Sequence, residues 1–179
     1  MLDDANVLKQ RDKDDALGVA AQLYNQASYD CELLDADHDN REIKNIVVVG
    51  MGGSALAADL VRVLLEDDLT VPFEVIKGYE LPKYVQHDTL VIASSHSGNT
   101  EETVACLNEA LEHRNSPQIA VIATGGKLQE IATAQNIMFA GFPHNTQPRM
   151  AVIYNLRCLL KILAEFGLTS LRAYDEMAN

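Results

Sequence analysis

The sequence predicts one α/β domain in which a parallel sheet is covered by helices on both faces, and two observations carry this expectation. The first is a set of five short apolar runs rich in Val and Ile, at 45–50, 72–77, 89–94, 119–123 and 137–141. They are too short for helices, and their composition suits strands. The second is that segments of helical composition, 54–66, 101–113 and 127–134, fall between these runs, so that strands and helices alternate. A chain of 179 residues with 47% apolar residues is long enough for a single sizeable core.

Taken in order, the chain opens with apolar positions at helical spacing from about 16 to 34, which predict an N-terminal helix. The acidic run 35–39 then reads as a solvated connector, so residues 1–42 form a helix and linker ahead of a domain at 43–179. After the last strand, a helix from about 147 or 149 to 166 is apolar on most sides. Such a helix predicts burial under a neighbouring domain or subunit, and hence a homodimer.

Charge excludes several classes. The net charge is −12, and 4 Lys/Arg against 11 Asp/Glu through Glu42 place −7 of it in the first segment. A surface of this sign repels nucleic acid and anionic lipid, and an anionic substrate must be held by local donors. The N-terminus has no basic-then-apolar signal pattern, and Asn155, Arg157 and Lys161 interrupt the most apolar helix, so no membrane association is expected. Cys31, Cys106 and Cys158 are odd in number and lack zinc spacing, and read as buried free thiols of a cytoplasmic protein.

Two loops are candidates for a phosphate. The run at 45–50 leads into Gly50-Met51-Gly52-Gly53-Ser54, a glycine turn opening a helix whose free amides and dipole favour an anion. The same letters satisfy G-x-G-x-x-A, but a dinucleotide site wants an acid at the end of the second strand, where the chain reads Ile76-Lys77-Gly78. Glycines serving only a tight turn are the third reading of this stretch. The run at 89–94 leads into Ser95-His96-Ser97-Gly98-Asn99-Thr100-Glu101-Glu102. Ser95, Ser97 and Thr100 offer hydroxyl donors, Gly98 permits a sharp turn, and the following helix points its amides into the same space. With no lysine in the loop, a phosphomonoester fits better than a nucleotide undergoing hydrolysis. A capping box, with Asn99 as N-cap and Glu102 returning to its amide, accounts for those two residues and is compatible with phosphate binding.

These motifs resemble the sugar isomerase (SIS) domain, and within it the bifunctional phosphoglucose/phosphomannose isomerases. The resemblance rests on GMGGS at 50–54, S-x-SGNTEET at 95–103 and Gln147-Pro148-Arg149, with further similar segments at 79–82 and 124–128. It implies a three-layer αβα sandwich with a five-stranded parallel sheet, doubly wound like flavodoxin. It also implies cytoplasmic, cofactor-free interconversion of glucose 6-phosphate or mannose 6-phosphate with fructose 6-phosphate. By the matching motifs, Gly53, Ser54, Ser95, Ser97 and Thr100 would hold the phosphate, and Arg149 would stabilise the enediolate, a role that suits a fixed guanidinium. In that family the general base and the ring-opening His come from a second SIS domain that this sequence does not contain. A non-catalytic sugar-phosphate sensor is therefore the alternative. His96 stands where the family usually has Tyr; a His near a phosphate loop can titrate near neutrality, but a residue so placed is expected to point away from the site, and His144, before the Gln147-Pro148-Arg149 element at the sheet's ligand edge, is likewise not expected to do acid-base work.

Overall fold

The computed structural model describes residues 5–144 and 147–177. The four N-terminal residues of the acidic segment lie outside these. The elements are α1 (Ala5–Arg11), α2 (Ala16–Ala21), a 3-10 helix (Leu23–Ser28), β1 (Leu33–Leu34), β2 (Asn45–Gly50), α3 (Gly52–Leu64), β3 (Phe73–Ile76), β4 (Thr89–Ser95), α4 (Glu101–Glu112), β5 (Gln118–Ala123), α5 (Gly126–Gln135), β6 (Met138–Gly141), a 3-10 turn (Pro148–Met150), α6 (Val152–Glu165) and α7 (Arg172–Glu176). All five predicted strands form, within a residue or so of their expected limits.

The strands lie in the order β1-β6-β5-β4-β2-β3. Five are parallel, and β1 adds antiparallel to β6 through Leu33 and Leu34, so the sheet is mixed and six-stranded rather than five-stranded. Alternate strand residues face opposite layers. Ile46, Val48, Leu90, Ile92 and Ile122 face α3 and α6, where they meet Ala57, Val61 and Leu159. On the other side, Val47, Val49 and Val91 meet Cys106 and Ala110 of α4, and Ala93, Val121 and Phe139 meet Leu128 and Ala132 of α5. The result is the three-layer αβα sandwich.

The N-terminal segment departs from the single helix expected over 16–34. Helix α2 ends at Ala21, and the chain then tightens into the 3-10 helix because Gln26 is drawn inward. The Gln26 amide donates to the Met150 carbonyl at 2.6 Å and its oxygen accepts from the Tyr154 amide. Further on, the Tyr29 hydroxyl donates to the Gly141 carbonyl at 2.8 Å, and Arg157 donates to the carbonyls of Tyr29 and Tyr174. These long-range bonds outweigh the local helical period. They also answer the question posed by the apolar final helix, since α6 is buried by its own chain, under α3, the 3-10 helix and α7. Within this packing, the buried thiols of Cys31 and Cys158 lie 3.3 Å apart. Among the described residues, no helix is long and apolar enough to cross a membrane.

Candidate functional site

The parallel order reverses between β2 and β4, since β3 lies beyond β2 on one side and β5 beyond β4 on the other. Ligands of open α/β sheets bind at the carboxyl ends of strands at this switch. Gly50 of β2 pairs in register with Ser94 of β4, so the two candidate loops leave the sheet side by side.

In the first loop, Met51 is extended and α3 begins at Gly52 with no side-chain cap, which leaves its first amides available. A side chain at Gly53 is excluded, because its Cβ would come within 2.7 Å of the Pro148 carbonyl oxygen. Ser54 is buried, and its hydroxyl is set from behind. The Asn155 amide nitrogen donates to Ser54 Oγ at 3.2 Å and to Ser94 Oγ at 2.7 Å. Both hydroxyls therefore accept from Asn155, and the Ser54 proton is free to be donated elsewhere. Asn155 is the functional side chain that sequence reasoning missed. Its signal was present, as an amide in an otherwise apolar stretch of α6.

The second loop is wired internally. Ser95 Oγ and Thr100 Oγ1 share a hydrogen bond of 2.7 Å, and Ser95 Oγ also accepts from the Gly98 amide. Ser97 Oγ accepts from the Asn99 amide at 3.2 Å, leaving its proton for a ligand, and the residue is exposed. Gly98 has φ +69°, and any Cβ there would collide with the Gly125 carbonyl. The expected capping box does not form. Thr100, not Asn99, is the N-cap of α4, and no side chain caps the helix. Asn99 instead joins two loops, its Oδ1 accepting from the Lys127 amide and its Nδ2 donating to the Ser97 carbonyl, each at 3.1 Å.

A hollow of about 190 Å³ lies between the loops, lined by Gly52, Gly53, Ser54, Ser97 and Thr100, with Met51, His96 and Pro148 completing the wall. Four of the five predicted phosphate residues thus converge, and Ser95 stands behind Thr100. Arg149 is exposed on the 3-10 turn, beside the Pro148 that lines the hollow, and α6 begins only at Val152. His96 departs from expectation, for it is 9% exposed and part of the wall. Its ring meets Phe142 edge-on at 5.7 Å and His144 at 5.5 Å. His144 itself is exposed. Thr124 Oγ1 donates to the His96 carbonyl at 2.7 Å, so its contact of 2.7 Å with His144 Nδ1 requires that nitrogen to carry the proton.

Fold and site together define a doubly wound domain with a small hollow at its switch point, lined by hydroxyls and by the start of α3. The SIS domain family model matches residues 41–155, and the chain belongs to that family. It is 41% identical over 127 residues to a bifunctional phosphoglucose/phosphomannose isomerase of Caldicellulosiruptor bescii, covering 71% of this chain and 37% of that one. It is 34% identical over 146 residues to the protein of the same name from Aquifex aeolicus, covering 81% and 44% respectively. The chain thus spans less than half the length of these relatives. Among solved structures, the tagatose-6-phosphate ketose/aldose isomerase of Escherichia coli superposes with a TM-score of 0.60 at 20% identity, covering 92% of this chain and 46% of that one.

Proposed function

We propose that this chain is the phosphate-binding SIS half of an aldose-ketose isomerase that interconverts glucose 6-phosphate or mannose 6-phosphate with fructose 6-phosphate through an enediolate. The observation that carries the reading is the convergence of the Ser54, Ser97 and Thr100 hydroxyls and the open N-termini of α3 and α4 on one hollow with no lysine in its wall. Neutral donors of this kind hold a phosphate dianion while leaving the sugar to point outward. In this reading Gly53 supplies close backbone approach, Ser95 orders Thr100, and Arg149 swings from its turn to offset oxyanion charge on the enediolate. The general base and the group that opens the sugar ring come from outside residues 1–179.

Calorimetric titration with fructose 6-phosphate tests the cradle. Saturable binding that Ser97→Ala weakens about tenfold is expected from the loss of one hydrogen bond to a charged group, whereas NAD binding in its place would restore the dinucleotide reading. In an isomerase containing both halves, Arg149→Lys should lower kcat far more than it changes KM; an unchanged kcat removes Arg149 from the chemistry. Turnover absent from the intact longer protein, with binding retained, would make the domain a sensor.

A cytoplasmic homodimer completes the reading. Three unpaired thiols suit a reducing compartment. With α6 covered internally, the surface for self-association is the exposed stripe of Leu56, Leu60, Val63 and Leu64 on α3. A monomeric mass by light scattering at high concentration would count against it.

A further inference from the structure

We infer that His96 is the cation of the phosphate cradle, taking up a proton as the anion binds, so that the affinity of the site for a dianion is set by pH. The inference rests on the phosphate reading above and adds to it a residue and a dependence that the hydroxyl loops alone would not give.

Among the residues lining the hollow, His96 is the one ionisable side chain; the others are glycines, hydroxyls, a methionine and a proline. Its place follows from the strand. Ser94 faces Asn155 and Ser54, and His96, two residues on, returns to that same face just beyond the end of β4. There it is mostly buried, held by Phe142 on one side and by the Thr124 bonds to its carbonyl. A dianion entering a protein of net charge −12 gains no long-range attraction, and a buried imidazole in the wall of its seat is a group able to supply positive charge.

The charged groups around the site leave this role to His96. From the loop after β6, His144 stands against the His96 ring but is exposed, with its Nδ1 proton already given to Thr124. Glu101 and Glu102, in the first turn of α4, act on the Tyr79 hydroxyl, whose pKa Glu102 raises most. Lys127, in the first turn of α5, meets the loop through its backbone amide. Arg149, on the turn beside Pro148, does not line the hollow. Of the apolar residues nearby, Phe142 packs against the ring, and Met51 and Pro148 line the same hollow.

Sulfate is the probe that separates this effect from the titration of phosphate itself, because its charge is constant from pH 5.5 to 8.5. Calorimetry on the 179-residue chain should show sulfate binding that tightens about tenfold from pH 8 to pH 6, for a shift of about one unit in the imidazole. The dependence should vanish in His96→Gln and in His96→Tyr and persist in His144→Asn. Wild-type titrations at pH 7 in two buffers of different ionisation enthalpy should show proton uptake on binding, a result that does not depend on any variant folding. Sulfate binding that Ser97→Ala weakens but that is flat in pH and takes up no proton would overturn the role of His96 and leave the cradle standing. A pH dependence lost in His144→Asn and kept in His96→Gln would also overturn it, assigning the charge to His144. No sulfate binding at any pH would remove the cradle, and His96 with it.

Discussion

The two ends of the sheet solve the problem of strand termini in opposite ways. At the amino end, loops are closed by charge. Arg41 pairs with Asp39 and donates to the carbonyls of His87 at 2.9 Å and Ser116 at 2.8 Å, stitching together the segments that enter β2, β4 and β5, and Lys44 pairs with Asp88. At the carboxyl end, the loops after β2 and β4 are held by hydroxyls, amides and backbone, and the pairs Arg41–Asp39, Lys44–Asp88, Arg62–Asp59, Lys77–Asp59 and Arg172–Glu176 all lie outside the lining of the hollow. A larger cavity of about 500 Å³ lies near the amino end, between Lys44 and Tyr84, yet no helix N-terminus or set of hydroxyls converges on it. What sets the carboxyl-end hollow apart is the set of hydroxyls and uncapped helix starts around it, and volume is secondary.

Substitutions at the two ends should differ accordingly. The largest effect is expected from Gly98→Ala, which forces a Cβ into the Gly125 carbonyl from a left-handed backbone; a loss of about 4 kcal/mol, read as a large fall in Tm, is anticipated. Retained stability would mean that the two loops are not locked together. Next comes Asn155→Leu, which deprives the buried Ser54 and Ser94 hydroxyls of their donor and should cost about 2–3 kcal/mol by chemical denaturation. That variant should also weaken fructose 6-phosphate binding, because Ser54 is no longer oriented; undiminished affinity would confine Asn155 to stability. The smallest effect belongs to the amino end. Arg41 pulls the Asp39 carboxyl down to about 2 from 3.8, so the pair stabilises the fold above about pH 4 and ceases to do so as the pH falls toward 2. Because Asp39 is well exposed, Asp39→Asn should cost less than about 1 kcal/mol at pH 7 and nothing near pH 2. A deficit that persisted at low pH would show that the Asp39 bonds matter beyond their charge.

The parts of this molecule legible in its sequence are those whose cause is local. Five strands and the helices between them followed from apolar runs of the right length, and the convergence of Ser54, Ser97 and Thr100 followed from motifs that each occupy a single loop. The parts not legible depend on residues far apart in the chain. Gln26 breaks the N-terminal helix because Met150 and Tyr154 lie 124 and 128 residues away. Asn99 leaves the cap position to Thr100 because Lys127 offers its amide. Asn155 shows its purpose only once α6 crosses the ends of β2 and β4, and His96 turns toward the hollow only because the strand carrying it ends where α3 begins.

The contact between the SGNT loop and the start of α5 also limits how such a domain can vary. Gly98 closes on Gly125, its carbonyl accepts the Leu128 amide at 3.0 Å, and Asn99 reaches Lys127, so two loops separated by an entire βα unit share one surface. Transplanting the loop at 95–100 into another scaffold without its partner at 124–128 would move half of a hinge pin. In a mutational library the two segments should tolerate change only jointly, and exchange between homologous chains should succeed when the crossover falls outside 95–128 and fail when it falls within.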